Sequence, residues 1–208
     1  MKLNRAKCVL GISSWKYLGF MVSQRGIKAN QEKVKAILDM TSLKTVKEVQ
    51  SLTRRVVALN RFVLKATNNC LPFFKTLKQA FHWMDECKAT FQSLKKYMAK
   101  PPLLSSSVEG EELLLYLAVS QTAVSSVLIH EESRIHRLVY YTSQGFQGIE
   151  AKYPRIEKTA FSLIMASRKL RPYFQAHTIM EMTDQSIRKA MSKPNVTGHI
   201  IQWAIELS

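Results

Sequence analysis

The chain has 208 residues, enough for one large domain or two small ones, and 46% of them are hydrophobic, an ordinary share for a protein that buries a core. Thirty-one Lys and Arg against fifteen Asp and Glu give a net charge of +16, which points to a polyanionic partner, nucleic acid first. Cys8, Cys70 and Cys87 show no CxxC or Cys/His spacing, which excludes a disulfide framework and a zinc site, and no apolar stretch approaches the ~18 residues of a membrane span; the expectation is a soluble intracellular protein, cytoplasmic or nuclear and not secreted.

From Cys8 to Ser23, two short apolar runs split by Ser13-Ser14 predict a β-hairpin, which Gly26 ends. Asn30 is a natural N-cap, and Val34, Ile37 and Leu38 at helical spacing predict an amphipathic helix over 31–39. Thr45-Val46-Lys47-Glu48 has the form of a capping box and predicts a longer helix. That helix places Val49, Leu52, Val56, Leu59 and Val63 on an apolar side and Arg54, Arg55 and Arg61 elsewhere, so its basic face suits phosphate. Phe91, Leu94 and Tyr97 mark a further helix to about residue 99, and Lys100-Pro101-Pro102 then imposes an extended path. The charge changes sign there: residues 1–100 hold 20 basic and 5 acidic side chains, residues 101–150 hold 2 and 6.

Beyond the prolines the texture is that of strands, Leu113–Val119, Val124–His130 and Leu138–Thr142, followed by a helix from about Ile156 to Tyr173, a strand from Thr178 to Met182, and short helical segments. The order βββαβα predicts an α+β or mixed α/β fold, a sheet with helices packed on it. The five histidines lack metal-ligand spacing, and Glu109, Glu111, Glu112, Glu131 and Glu132 fall at loop and strand ends, as a solvated rim does.

Several motifs support a family resemblance. Leu3-Asn4-Arg5-Ala6-Lys7-Cys8, Tyr17-Leu18-Gly19-Phe20, Gly26-Ile27-Lys28-Ala29-Asn30 and Lys33-Val34-Lys35-Ala36-Ile37 resemble, in order and spacing, the end of the reverse transcriptase of gypsy-type long-terminal-repeat retrotransposons. Trp83, Cys87, Phe91, Leu94 and Lys95 match that family's W-x-x-x-C-x-x-x-F-x-x-L-K segment. Leu115-Tyr116-Leu117-Ala118-Val119-Ser120 is similar to the L-Y-T-D-A-S opening of its RNase H-like domain, and some plant elements also carry L-Y-L-A-V-S there. Tyr153 through Ala160, Arg171 through Phe174 and Thr183-Asp184-Gln185 match the later Y-x-x-x-E-K-E-L, R-x-Y-L and T-D-H segments. The resemblance implies a fragment of a pol polyprotein. Residues 1–100 would form a helical thumb and connection with an N-terminal hairpin, and residues 101–208 an RNase H-like domain truncated at its C-terminus.

The departures carry the functional expectation. No Y-x-D-D palm motif occurs, so the polymerase site is missing, and what remains resembles a primer grip at Leu18, Gly19 and Phe20. Hybrid cleavage needs carboxylates that converge on two Mg²⁺. Here the first aspartate position is Ala118, the glutamate position is Thr159, and Glu157 matches the family's other Glu, which is not taken as a ligand; Asp184 alone survives as a catalytic-type carboxylate. No metal site and no cofactor are therefore expected in this fragment, with Mg²⁺ expected only for an intact family member. The expected function is non-catalytic binding of a template–primer hybrid or duplex without sequence preference, with Leu18, Gly19, Phe20, Arg54, Arg55 and Arg61 as the contacting residues. The other expected partner is the remainder of the pol polyprotein, and no membrane is expected. The alternatives are a part of an active RNA-directed DNA polymerase and hybrid ribonuclease, when in the intact polyprotein, and a decayed product without function.

Overall fold

A computed structural model describes residues 14–17, 20–41, 43–64, 70–73, 85–108, 110–183, 187 and 198–207. The chain opens with β1 (Ser14–Tyr17), β2 (Phe20–Ser23) and β3 (Gly26–Ala29), an antiparallel sheet in the order β1-β2-β3. This corrects the expected hairpin: Ser14 already belongs to a strand, the β1–β2 register pairs Tyr17 with Phe20, and Gly26 starts a third strand instead of ending the second. The expected first run, Cys8 to Ser13, lies outside the described residues, as do Leu18 and Gly19. The reason for glycine at 26 is steric. Its φ is +121°, and a Cβ there would sit 2.2 Å from the Leu104 carbonyl oxygen.

Asn30 caps α1 (Gln31–Leu38), its side-chain oxygen accepting from the Glu32 N–H at 2.9 Å. Thr45 caps α2 (Val46–Val57) through the expected box: the Glu48 N–H donates to Thr45 Oγ1 at 3.3 Å, and Glu48 Oε2 accepts from the Lys44 and Thr45 amides at 2.7 and 2.9 Å. Those donors hold the Glu48 carboxyl below its usual range, and such a cap is worth about 1 kcal/mol. Val49, Leu52 and Val56 of α2 are buried, but the helix stops at Val57. Leu59, Phe62 and Val63 continue the apolar surface from a 3₁₀ turn over Asn60–Phe62, so Arg61 does not share the helix face of Arg54 and Arg55. Cys87, Phe91, Leu94 and Met98 of α3 (Asp85–Met98) close this first core.

The second part is a four-stranded sheet of β4 (Glu112–Val119), β5 (Ala123–Glu132), β6 (Ile135–Gly145) and β7 (Thr178–Met182), ordered β6-β5-β4-β7. The three meander strands are antiparallel, and β7 lies parallel to β4 with Tyr116 beside Met182. Such a pairing needs a crossover, and α4 (Arg155–Lys169) and α5 (Arg171–Ala176) supply it. The single helix expected to reach Tyr173 is two, because Pro172 cannot continue the first and opens the second. Ala166 of α4 is buried with Leu113, Leu115 and Leu128 of the sheet, and Ile164 is buried in a neighbouring cluster with Val124, Ala160 and Phe161. Ile200 and Trp203 of α6 (Gly198–Leu207) cover Phe161, whose ring centroid is 5.8 Å from that of Trp203.

The proline pair does not separate the two packed regions. Leu104 is fully buried in the first core and pairs with Ile27 through N–H···O bonds of 2.7 and 2.9 Å, while the Ser105 N–H donates to Leu138 O of β6 at 2.6 Å. The segment that follows is pinned to the second sheet by Glu111: Oε1 accepts from the Val108 amide at 2.9 Å and Oε2 lies 3.4 Å from His130 Nδ1, while Nε2 of that ring lies 2.9 Å from Ser105 Oγ. Glu111 is thus a structural anchor rather than a member of a solvated rim. The mixed α/β class expected from the element order holds, and among the described residues no helix is long and apolar enough to cross a membrane.

Candidate functional site

Because β4 and β7 run parallel, their C-terminal ends reach the same edge, the place where open α/β sheets form a crevice. Here the crevice is a cleft of about 570 Å³ lined by Tyr116, Leu117, Ala118 and Val119 of β4, Met182 and Thr183 at the end of β7, and Arg155 and Thr159 of α4. Ala118 and Thr159, singled out in the sequence as far apart as a strand and a helix, thus face one space. Asp184 follows Thr183 but lies outside the described residues.

The donors in the cleft do not fit a pair of hard cations. Ala118 offers a methyl group. Thr159 is buried and its hydroxyl donates to the Arg155 carbonyl at 2.9 Å, within its own helix. Among the described lining residues Arg155 is the charged group, and its sign opposes a metal. Among the described residues no three His, Cys, Asp or Glu side chains gather into a set able to hold a metal. One carboxylate nearby was missed by sequence reasoning. Glu181 of β7, opposite Leu115, has a buried Oε1 without a hydrogen-bond partner among the described residues, and burial pushes its carboxyl upward from the ordinary value. Its place in an otherwise apolar strand, Thr178–Met182, was the available signal.

The basic residues divide into three environments. A second groove, about 510 Å³, runs between α1 and α2 and is lined by Glu32, Lys33 and Ala36 on one side and Ser51, Arg54, Arg55 and Ala58 on the other. Arg54 is exposed, and its Nε donates to the Gln50 carbonyl at 3.4 Å. Arg55 bridges the helices, with Nη1 donating to the Ala36 carbonyl. The groove's carboxylate, Glu32, is offset by Lys16 at 2.6 Å, which holds it below its usual range. The groove therefore presents positive charge over small side chains, a shape that admits a backbone. Lys33 was named in the sequence as part of the Lys33–Ile37 motif but not as a contact for phosphate.

Arg61 is elsewhere. Its guanidinium carbon lies 4.4 Å from the Tyr140 ring centroid and 5.8 Å from that of Phe20, and Nη2 donates to Tyr173 Oη at 3.2 Å. Its Nε is buried without a partner among the described residues. This corrects the grouping of Arg61 with Arg54 and Arg55: it sits in an aromatic seam between β2, β6 and α5. Phe20 likewise packs against Phe62, centroids 5.7 Å apart, and against the first core. Partly desolvated cation–π contacts of this kind contribute on the order of 1–2 kcal/mol.

The RNase H-like domain found in reverse transcriptase matches residues 83–180. The family match runs across both packed regions, since it takes in α3 of the first core as well as the four-stranded sheet. The chain is 24% identical over 178 residues to the transposon Tf2-3 and Tf2-4 polyproteins of Schizosaccharomyces pombe, covering 84% of this chain and 13% of each polyprotein; it thus spans about an eighth of the relatives it matches. Similar solved structures are a foamy viral protease-reverse transcriptase dRH in complex with ds DNA (TM-score 0.75, 18% identity, 93% of this chain and 35% of that one) and a foamy viral protease-reverse transcriptase in complex with RNA/DNA hybrid (TM-score 0.74, 19% identity, 94% and 28%). Those two likenesses establish the fold. The chain has the mixed α/β architecture of these reverse transcriptase regions, is similar in sequence to the transposon Tf2 polyproteins, and over residues 83–180 is similar to the RNase H-like domain found in reverse transcriptase.

Proposed function

We propose that this chain is a non-catalytic segment that holds a template–primer duplex, an RNA/DNA hybrid above all, within a retrotransposon reverse transcriptase. Residues 1–100 act as primer-grip hairpin, thumb and connection, and residues 101–208 as an RNase H-like domain. The observation that carries the reading is the cleft. Positions that the family resemblance assigns to metal-binding carboxylates converge there as Ala118 and Thr159, and the cleft keeps its shape without the charge that hydrolysis requires. The α1–α2 groove with Lys33, Arg54 and Arg55 supplies the complementary half, a cationic surface for phosphate. The similar foamy viral proteins are in complex with ds DNA and RNA/DNA hybrid, which supports a duplex as the ligand. The other partner in this reading is the remainder of the polyprotein.

Titration of a labelled RNA/DNA hybrid at several salt concentrations tests the binding. Neutralising four to six phosphates gives a log–log slope of roughly −4 to −5 at about −0.9 per contact. A slope near zero removes the proposal. The same hybrid incubated with the chain and Mg²⁺ should stay intact; cleavage that disappears in Asp184→Asn would make the chain a nuclease.

A further inference from the structure

We propose that Arg61 is an aromatic-caged latch that holds the hairpin-and-helix region and the four-stranded sheet in one register. The residue stands on the Asn60–Phe62 turn, yet its guanidinium meets three elements that are distant in sequence: Phe20 of β2, Tyr140 of β6 and Tyr173 of α5. The rings support one another. Tyr140 and Tyr173 meet edge to face at 6.3 Å, and Tyr173 stacks on His177 at 6.2 Å, so the second region's side of the cage is preassembled. The Tyr97 hydroxyl donates to the Phe62 carbonyl at 2.8 Å, which fixes the turn that carries the arginine.

Two features make this a latch rather than ordinary packing. A guanidinium whose buried Nε has no partner among the described residues is tolerable only while both aromatic faces and the Tyr173 hydroxyl are in place. Partial opening would leave the charge desolvated without those contacts, so the joint is favoured either closed around Arg61 or open with Arg61 in water. Among the described residues the backbone bonds across the joint fall in one short stretch, Leu104 with Ile27 and Ser105 with Leu138. Gly26 leaves no slack there, because a Cβ at that position would meet the Leu104 carbonyl oxygen at 2.2 Å. Closing the cage therefore sets where the α1–α2 groove stands relative to the cleft. The consequence for a bound hybrid rests on the function proposed above, whereas the latch itself does not.

Hydrogen exchange of the full chain, read by mass spectrometry without nucleic acid, tests the latch. Arg61→Met should speed exchange of the Ile27, Leu104 and Ser105 amides by roughly ten-fold, with β4, β5 and α4 unchanged. Arg61→Lys, which keeps the charge but loses the planar fork, and Tyr173→Phe, which removes one hydroxyl, should accelerate the same amides by smaller factors; these two carry the test if Arg61→Met does not fold. No change at those amides, or equal acceleration everywhere, overturns the proposal. A second arm uses hybrid binding: the salt slope of Arg61→Lys and Arg61→Met should equal that of the parent, and a slope shallower by about 0.9 in Arg61→Met would place Arg61 on phosphate and overturn the latch. Failure of the parent to bind hybrid would count against the proposed function alone and leave the exchange result intact.

Discussion

The two regions of this molecule separate properties that an active nuclease must combine. The region built on β1–β3 and α1–α3 carries the charge, with Lys33, Arg54 and Arg55 along a groove. The four-stranded sheet carries the crevice, with Ala118 and Thr159 on elements that converge. Shape there is set by strand direction and by packing beneath α4, neither of which needs a carboxylate. The form of the cleft is consequently independent of a carboxylate at either position. The comparison also shows that positive charge is not one property: Arg54 is exposed, Arg55 ties α1 to α2, and Arg61 is caged by rings.

The largest expected effect breaks the first region while testing the second. Phe62 is fully buried, and Phe62→Ala should cost about 3–5 kcal/mol in urea unfolding and abolish hybrid binding. Survival of hybrid binding after that loss would relocate the binding surface to the sheet. Gly26→Ala comes next: a Cβ 2.2 Å from a backbone oxygen forces the joint apart, at roughly 1–3 kcal/mol, seen as a lower urea midpoint. An unchanged midpoint would mean that the Ile27–Leu104 pairing contributes nothing to stability.

Glu181→Gln sharpens the comparison from the sheet side. Burial raises the Glu181 carboxyl above its ordinary value near 4.5, so the folded state binds that proton more tightly than the unfolded chain. The penalty of the charged form is fully present above the folded pKa, and fades as pH falls from there towards the unfolded value. The Gln variant should therefore be more stable than the parent at pH 7 and lose that advantage on acidification; equal stabilities at pH 7 would show that Glu181 is not desolvated. The smallest effect on stability is expected for Arg54→Ala, within about 0.5 kcal/mol, together with a salt slope shallower by about 0.9. An unchanged slope would take Arg54 out of the interface.

Local signals in the sequence were easy to read. The Asn30 cap, the Thr45–Glu48 box and the strand Thr178–Met182 depend on neighbours within a few residues, and each lies where its pattern predicts. The split at Pro172 was equally local and was overlooked, since hydrophobic periodicity runs through it. The three-stranded start was harder, because apolar runs do not encode register. In the candidate site, the importance of Ala118 and Thr159 was legible only through the family motif. No pattern within the chain marks an alanine as a position that lines a cleft.

By itself the sequence determined the mixed α/β class, the helix caps and the positive first half, because each follows from residue identity or short-range spacing. Only the tertiary structure decided which residues share a space. The cleft exists because β7 pairs parallel to β4 after a helical crossover, and Arg61 is half-buried against rings because Tyr140 and Tyr173 arrive beside it from a sheet and a helix far along the chain. Charge is written residue by residue, whereas access to it depends on what packs alongside.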